Sequence, residues 1–252
     1  MKLKKINYIP GAADLGDFDP TSTAGAVIYC SELENLPQSQ LKNTFDRYYR
    51  KLISRFKPDA KYWFTPYEVR NICAFVYMNQ KERALRLLRF ILKHRRPIGW
   101  NHLAEAVHSD YRSPNYIGDM PHTWVGAEYI NAIRSLFVYE WKDRLILGQG
   151  IDRNWLSRKE GVSVKNIPTY YGRINYTLRK DKDALRVKIY GAKDMTSPPN
   201  GFIFKSPFKF KIKKVYLNEK RWSRFLDDEV SFDRLPANIV ICYKSNAPTP
   251  HP

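Results

Sequence analysis

At Asp143 the spacing of apolar residues changes from three-and-four to two, and this one break constrains the fold of the 252-residue chain more than any other feature. A spacing near 3.6 selects amphipathic helices, whereas strict alternation selects strands with one buried face. A chain that switches once, from an early helical stretch to a late alternating one, reads as helices followed by a separate antiparallel β assembly. The expected class is a multidomain α+β protein. Its domains are a helical region over 1–143, a β region over 144–245 and a disordered tail over 246–252.

Within the first region, Asp19-Pro20 reads as a helix cap followed by the first helical residue. Leu41, Phe45, Tyr48, Tyr49, Leu52, Ile53 and Phe56 mark an amphipathic helix from Gln38 to Phe56. Thr65-Pro66 starts another helix through Val69, Ile72, Cys73 and Val76. Asn79-Gln80 separates it from a partner carrying Ala84, Leu85, Leu88, Ile91 and Leu92, which makes an αα-hairpin. A short helix over His102 to Val107 and a long one from His122 to Trp141 complete the region. Beyond Asp143, strands are expected at 145–147, 162–164, 172–178, 185–189, 208–217 and 239–243, assembled as an antiparallel β-sandwich.

Net charge is +18, from 43 basic against 25 acidic residues. Residues 1–143 hold 21 basic and 15 acidic side chains, and 144–252 hold 22 and 10, so the excess lies in the half that lacks candidate catalytic groups. In Phe208-Lys209-Phe210-Lys211-Ile212-Lys213 the lysines alternate with apolar residues, as on a strand with a solvated face. A solvated face is preferred to nucleic-acid binding; anion or nucleic-acid binding by the basic β region stays as a third reading. Cys30, Cys73 and Cys242 are far apart and each lies in apolar sequence, so three buried free thiols and a reducing, cytoplasmic location are expected. The longest apolar run, Ile72 to Met78, is far short of the ~20 residues of a membrane span, and Pro10, Gly11 and Asp14 interrupt the start, so no export signal is expected. No phosphate loop, nucleophile elbow or Cys–His pattern appears, and no cofactor is implied. A zinc set of His102, Glu105, His108 and Asp110 is disfavoured, because steps of three spread such ligands around a helix.

Four segments carry most of the chemical character. They are Asp14-Leu15-Gly16-Asp17-Phe18-Asp19-Pro20-Thr21-Ser22-Thr23, Thr65-Pro66-Tyr67-Glu68-Val69-Arg70, Trp100-Asn101-His102-Leu103-Ala104-Glu105, and Gly118-Asp119-Met120-Pro121-His122-Thr123-Trp124. With Ile167-Pro168-Thr169-Tyr170-Tyr171-Gly172 they resemble, over residues 8–243, the last part of a six-hairpin, (α/α)6-barrel glycoside hydrolase of the α-L-rhamnosidase-like group with its appended β-sandwich. The resemblance implies a partial toroid of helical hairpins and a carbohydrate substrate. It also implies an inverting mechanism, with two carboxyl groups ~6.5–9.5 Å apart. Glu105 matches the position of the general base; its other reading is a surface glutamate in a helical first turn.

In that setting Asp17 and Asp19 are candidates for bonding sugar hydroxyls, with Asp19 equally readable as only a helix cap. Glu68 and Arg70 are substrate-binding candidates or a local ion-paired helix start. Trp100 is a further substrate-binding candidate, and Trp124 is a stacking platform with Asp119 and His122 as polar partners; alternatively Asp119 caps a helix and Trp124 fills the core. Glu128 reads as a buried hydrogen-bonder or surface acid and is not assigned to catalysis.

A full toroid has about twelve helices, so the chain is expected to be the C-terminal portion, completed by an upstream segment or a partner chain and inactive alone. Ile72, Val76, Leu88 and Ile133 are the residues expected to form the uncovered apolar face. A non-catalytic carbohydrate-binding or interaction fragment is the second reading.

Overall fold

A computed structural model describes residues 4–113, 116–181 and 184–244. The chain divides into two compact units, Met1–Ser135 and Leu136–Pro252. It combines helices with largely antiparallel sheets, an α+β architecture.

The first unit contains α1 (Pro20–Tyr29), α2 (Gln38–Ser54), β1 (Trp63–Phe64) and a 3-10 turn (Pro66–Val69) that runs directly into α3 (Arg70–Tyr77). These are followed by α4 (Lys81–Lys93), β2 (Val107–His108) and α5 (Thr123–Phe137). Helix α3 is buried from Asn71 through Val76. A helix apolar on every side must be covered on every side, and α1 and α4 both pack on it. The α3–α4 hairpin turns at Asn79, whose φ of 57° suits asparagine in the left-handed region. On α4, Ala84, Leu85, Leu87, Leu88, Phe90 and Ile91 face inward; Glu82, Arg86, Arg89 and Lys93 face water.

The centre of this unit holds a buried ion pair. Arg55, the residue closing α2, donates to Glu68 in the 3-10 turn through Nη1 (2.6 Å) and Nη2 (2.7 Å), and the Tyr48 hydroxyl donates to the same carboxylate at 2.7 Å. The guanidinium lies over the Phe64 and Phe90 rings, 5.5 and 5.6 Å from their centroids. Burial and the Glu68 carboxylate hold the Tyr48 phenol neutral, well above the ordinary tyrosine range.

Several expectations are corrected. Segment 102–107 is extended. Its amides and carbonyls pair with the approach to α5: Glu105 N donates to Asp119 O, Gly118 N to Ala106 O and His122 N to Leu103 O, each at 3.0 Å. On the other side β2 pairs with β1, Trp63 opposite His108. The spacing of three in His102, Glu105 and His108 imitates a helix, but the backbone groups of this segment find their partners across the chain. A Cβ on Gly118 would meet Ala106 N at 3.0 Å, so this close backbone approach favours glycine.

The suspected uncovered face is also different. Ile72 and Val76 are fully buried, Leu88 is nearly so, and Ile133 is half-buried. The large apolar side chains left in water on this unit include Trp124, Ile130, Leu92, Ile98 and Trp100. Finally, Cys30 closes α1 and is exposed, whereas Cys73 is buried, with burial pushing its thiol up to about 12, and Cys242 is intermediate.

The second unit begins where α5 ends, with β3 (Val138–Trp141) and β4 (Arg144–Leu147), followed by a 3-10 turn (Arg153–Ser157). Then come β5 (Val162–Thr169), β6 (Gly172–Asp181), β7 (Ala184–Gly191), β8 (Phe202–Lys205), β9 (Ile212–Leu217), β10 (Lys220–Trp222), β11 (Glu229–Phe232) and β12 (Ala237–Tyr243). Six strands form an antiparallel sheet in the order β10-β9-β12-β7-β6-β5, and four form another in the order β11-β8-β4-β3. Both sheets contribute to one apolar core, Leu145, Phe204 and Phe232 from the smaller and Ile174, Val187 and Ile239 from the larger. Buried Tyr176 satisfies its hydroxyl on Phe137 O at 2.7 Å.

The long helix expected to reach Trp141 stops at Phe137, because Val138, Tyr139 and Trp141 suit a strand. Lys142 and Asp143, at φ 49° and 58°, form a two-residue hairpin loop of the type that matches strand twist. The pair β4–β8 is parallel, Leu145 opposite Phe202, so the assembly is not wholly antiparallel. The strand expected from Phe208 starts only at Ile212. Ser206 Oγ accepts from Phe208 N at 3.2 Å and holds a turn there, and Lys211 pairs with Asp227 at 2.7 Å. The tail at 246–252 lies outside the described residues. Among those described, no helix is long and apolar enough to cross a membrane.

The buried pair makes a direct prediction. Arg55→Ala leaves an uncompensated carboxylate and lowers unfolding free energy by about 3–5 kcal/mol. Arg55→Met with Glu68→Leu, which removes both charges, recovers most of that loss; urea denaturation of the single and double variants measures it.

Candidate functional site

The 3-10 turn before α3 decides which side chains face inward and which face the site. Thr65 caps it by accepting from Tyr67 N at 3.3 Å, and its hydroxyl donates to Glu105 O at 2.7 Å. Glu68 turns into the core. Tyr67 and Arg70, three residues apart and therefore on one face, turn away from it.

Tyr67 is the hub of the cluster. Its hydroxyl lies 3.3 Å from His122 Nε2. Its ring meets His122 and Trp124 edge-on, with centroids 5.4 and 5.6 Å apart. On the other side of the imidazole, Glu105 Oε1 is 4.0 Å from Nε2, close enough for an ion pair when the ring is protonated. The Glu105 side chain is half-exposed and accepts no hydrogen bond from a protein donor among the described residues. Trp124 is 61% exposed. Burial and the charges of Glu105 and Glu128 push the Tyr67 phenol above its ordinary range, against Arg70, so it stays a neutral hydrogen-bonding group.

A second ion pair stands next to this cluster. Arg70 donates to Glu128 Oε1 through Nε (2.9 Å) and Nη2 (2.6 Å), and Tyr29 from α1 donates to the other carboxylate oxygen. Burial and the Glu128 carboxylate push the Tyr29 phenol up. Glu128 is thus a saturated buried acid, unlike Glu105.

Four side chains, Tyr67, Glu105, His122 and Trp124, therefore come together, with Arg70 behind them. Other candidates are placed elsewhere. Glu68 is the internal counter-ion of Arg55, its oxygens taken up in the core. Asp17 accepts from Ala12 N at 2.8 Å within its own loop. Asp19 caps α1, accepting from Thr21 N at 2.9 Å and from the hydroxyls of Thr21 and Ser22, each at 2.5 Å. Neither aspartate shares a hydrogen bond with the cluster. Asp119 contributes its carbonyl, which holds Glu105 N, while its side chain is exposed. Trp100 is exposed in the loop after α4. Among the described residues no three His, Cys, Asp or Glu gather as a metal site.

Tyr67 and Tyr29 were not among the sequence candidates. The signal for Tyr67 was its spacing of three from Arg70, on the face opposite Glu68. Tyr29 had none, because its partner Glu128 is 99 residues away.

His122 also lines a cavity of about 540 Å³ bounded by the end of α4, residues 101–103 and the first turns of α5.

No protein-family model matches the chain, and no curated protein matches it. Among solved structures, it is similar to Ara127N-Se, a GH127 β-L-arabinofuranosidase from Geobacillus stearothermophilus T6. The TM-score is 0.35 and the identity 8%, over 71% of this chain and 31% of that one. The chain thus spans about a third of that enzyme's length.

Asp19 supplies a test of the α1 start. Burial raises its pKa, but the hydroxyls and amides of Thr21 and Ser22 outweigh it and hold the carboxyl below its ordinary value. A lowered folded pKa gives stability that is present above the unfolded value of about 3.9 and lost as pH falls through the folded one. Asp19→Ala is expected to cost about 0.5–2 kcal/mol at neutral pH. The gap from wild type in thermal melts should narrow towards about pH 3; a gap that stays constant would contradict the cap assignment.

Proposed function

We propose that this chain forms one wall of a carbohydrate-binding cleft of glycoside hydrolase type, with Glu105 as its general base. The observation that carries the reading is the convergence of Tyr67, Glu105, His122 and Trp124, three of them candidates for this chemistry from sequence. An exposed indole braced edge-on by Tyr67 offers a flat apolar platform to the C–H face of a sugar ring. The neutral phenol and the imidazole are hydrogen-bonding groups for its hydroxyls. Glu105, half in water and without a protein donor on its oxygens, is the acid able to take a proton from a water molecule.

We infer that the helical hairpin and its flanking helices are part of an (α/α) toroid, and that the two sheets are its accessory β-sandwich. Hydrolysis with inversion needs a second carboxyl ~6.5–9.5 Å from the base. Of the acids near the described cluster, Glu128 is saturated by Arg70 and Tyr29, and Asp119 meets Glu105 through its backbone carbonyl with its side chain turned to solvent. The proton donor in this reading comes from a facing wall supplied by another segment or partner chain. The wall alone then binds glycan without turning it over.

Titration of the purified chain with a panel of oligosaccharides, followed by tryptophan fluorescence, tests this. Trp124→Ala should weaken binding about tenfold or more, equivalent to about 1.4 kcal/mol. Tyr67→Phe should weaken it by about 1 kcal/mol. Glu105→Gln should leave affinity nearly unchanged. Failure of every glycan to bind would sink the reading. Aryl-glycoside turnover by the chain alone, abolished by Glu105→Gln, would overturn only the claim that the acid lies elsewhere.

A further inference from the structure

We propose that the cavity beside His122 is a subsite for an acidic sugar, a pyranose bearing a carboxylate. This rests on the glycan-cleft reading and names its substrate class. The volume of about 540 Å³ is within the ~300–1,000 Å³ of small-molecule sites. The ionisable side chains lining it that carry or can acquire positive charge are Arg95, His102 and His122, and no aspartate or glutamate lines it. Arg95 makes no ion pair and no side-chain hydrogen bond among the described residues.

Leu92, Leu103 and Ile130 supply apolar wall, and α5, 15 residues long, begins at the cavity. The positive end of its dipole favours an anion there. Arg95 lines this cavity, which no carboxylate lines, so an incoming anion finds a cationic partner there without a competing acid in the wall. Among anions, a planar carboxylate matches the two parallel N–H groups of the guanidinium fork. The apolar wall takes the C–H face of the pyranose that carries it. Since His122 belongs both to this cavity and to the Tyr67–Glu105 cluster, the acidic residue occupies the position adjoining the sugar at Trp124.

Isothermal titration calorimetry on the full chain tests this with glucuronate- and galacturonate-containing trisaccharides, their methyl esters and O-sulfated neutral trisaccharides of the same linkage. An acid form should bind about tenfold more tightly than its ester. Arg95→Gln should abolish most of that preference and Arg95→Lys only part of it, while Trp124→Ala weakens both forms alike. Equal binding of acid and ester, or a preference that survives Arg95→Gln, overturns the subsite while leaving the glycan cleft standing. Sulfated sugars binding as tightly as uronates overturn the carboxylate assignment. Should Arg95→Gln not fold, Arg95→Lys and His102→Ala decide by the same comparison. No binding of any form, or binding untouched by Trp124→Ala, would instead be failure of the cleft reading itself.

Discussion

The helical unit is organised around a pair of charges that water cannot reach. Arg55 ends α2, Glu68 occupies the turn into α3, and Tyr48, Phe64 and Phe90 enclose them from α2, β1 and α4. An isolated buried charge is strongly unfavourable, whereas a bidentate pair with a third donor is satisfied. The arrangement therefore tolerates one geometry of the Pro66–Val69 turn. With Glu68 held inward, Tyr67 and Arg70 emerge on the other side. The core in this way fixes the direction of the side chains that build the candidate cleft.

The glutamates of this unit show how partners separate roles that sequence alone leaves equal. Glu68 takes two N–H bonds and a hydroxyl bond in the core. Glu128 takes two N–H bonds from Arg70 and one hydroxyl bond from Tyr29. Glu105 meets His122 at 4.0 Å and keeps half its side chain in water. Only in the third case do the oxygens remain open to a water molecule or a sugar. The Arg70–Glu128 pair still matters to the site, since it holds α5 against α3 where Tyr67, His122 and Trp124 meet.

Much of the architecture was legible because it rests on periodicity. The α3–α4 hairpin followed from three-and-four spacing around Asn79-Gln80, and β5, β6, β7 and β12 from alternation. What was not legible depends on partners distant in sequence. Segment 102–107 has helical spacing, yet Leu103, Glu105 and Ala106 bond across to the stretch that leads into α5. Strand β3 looked like a helix end because Lys142-Asp143 is a less distinctive hairpin loop than Asn-Gly. Ile72, Val76 and Leu88 looked uncovered because the helices of a full toroid were expected to cover them, whereas the short, weakly patterned α1 packs on α3 within this unit. In the site, Glu105, His122 and Trp124 stood out by residue type. Tyr67 did not, because tyrosine is as common in cores as in clefts, and only its distance to His122 gives it a role.

The central claim is that the Tyr67–Glu105–His122–Trp124 wall receives a saccharide. The chain has six tryptophans, and their indole N–H resonances can be assigned by substitution in a nitrogen-15 spectrum. On addition of an oligosaccharide that binds, the account predicts that the Trp124 resonance shifts first and furthest, together with the His122 ring signals. Shifts confined to tryptophans of the β unit, with Trp124 and His122 unmoved at saturation, would contradict it.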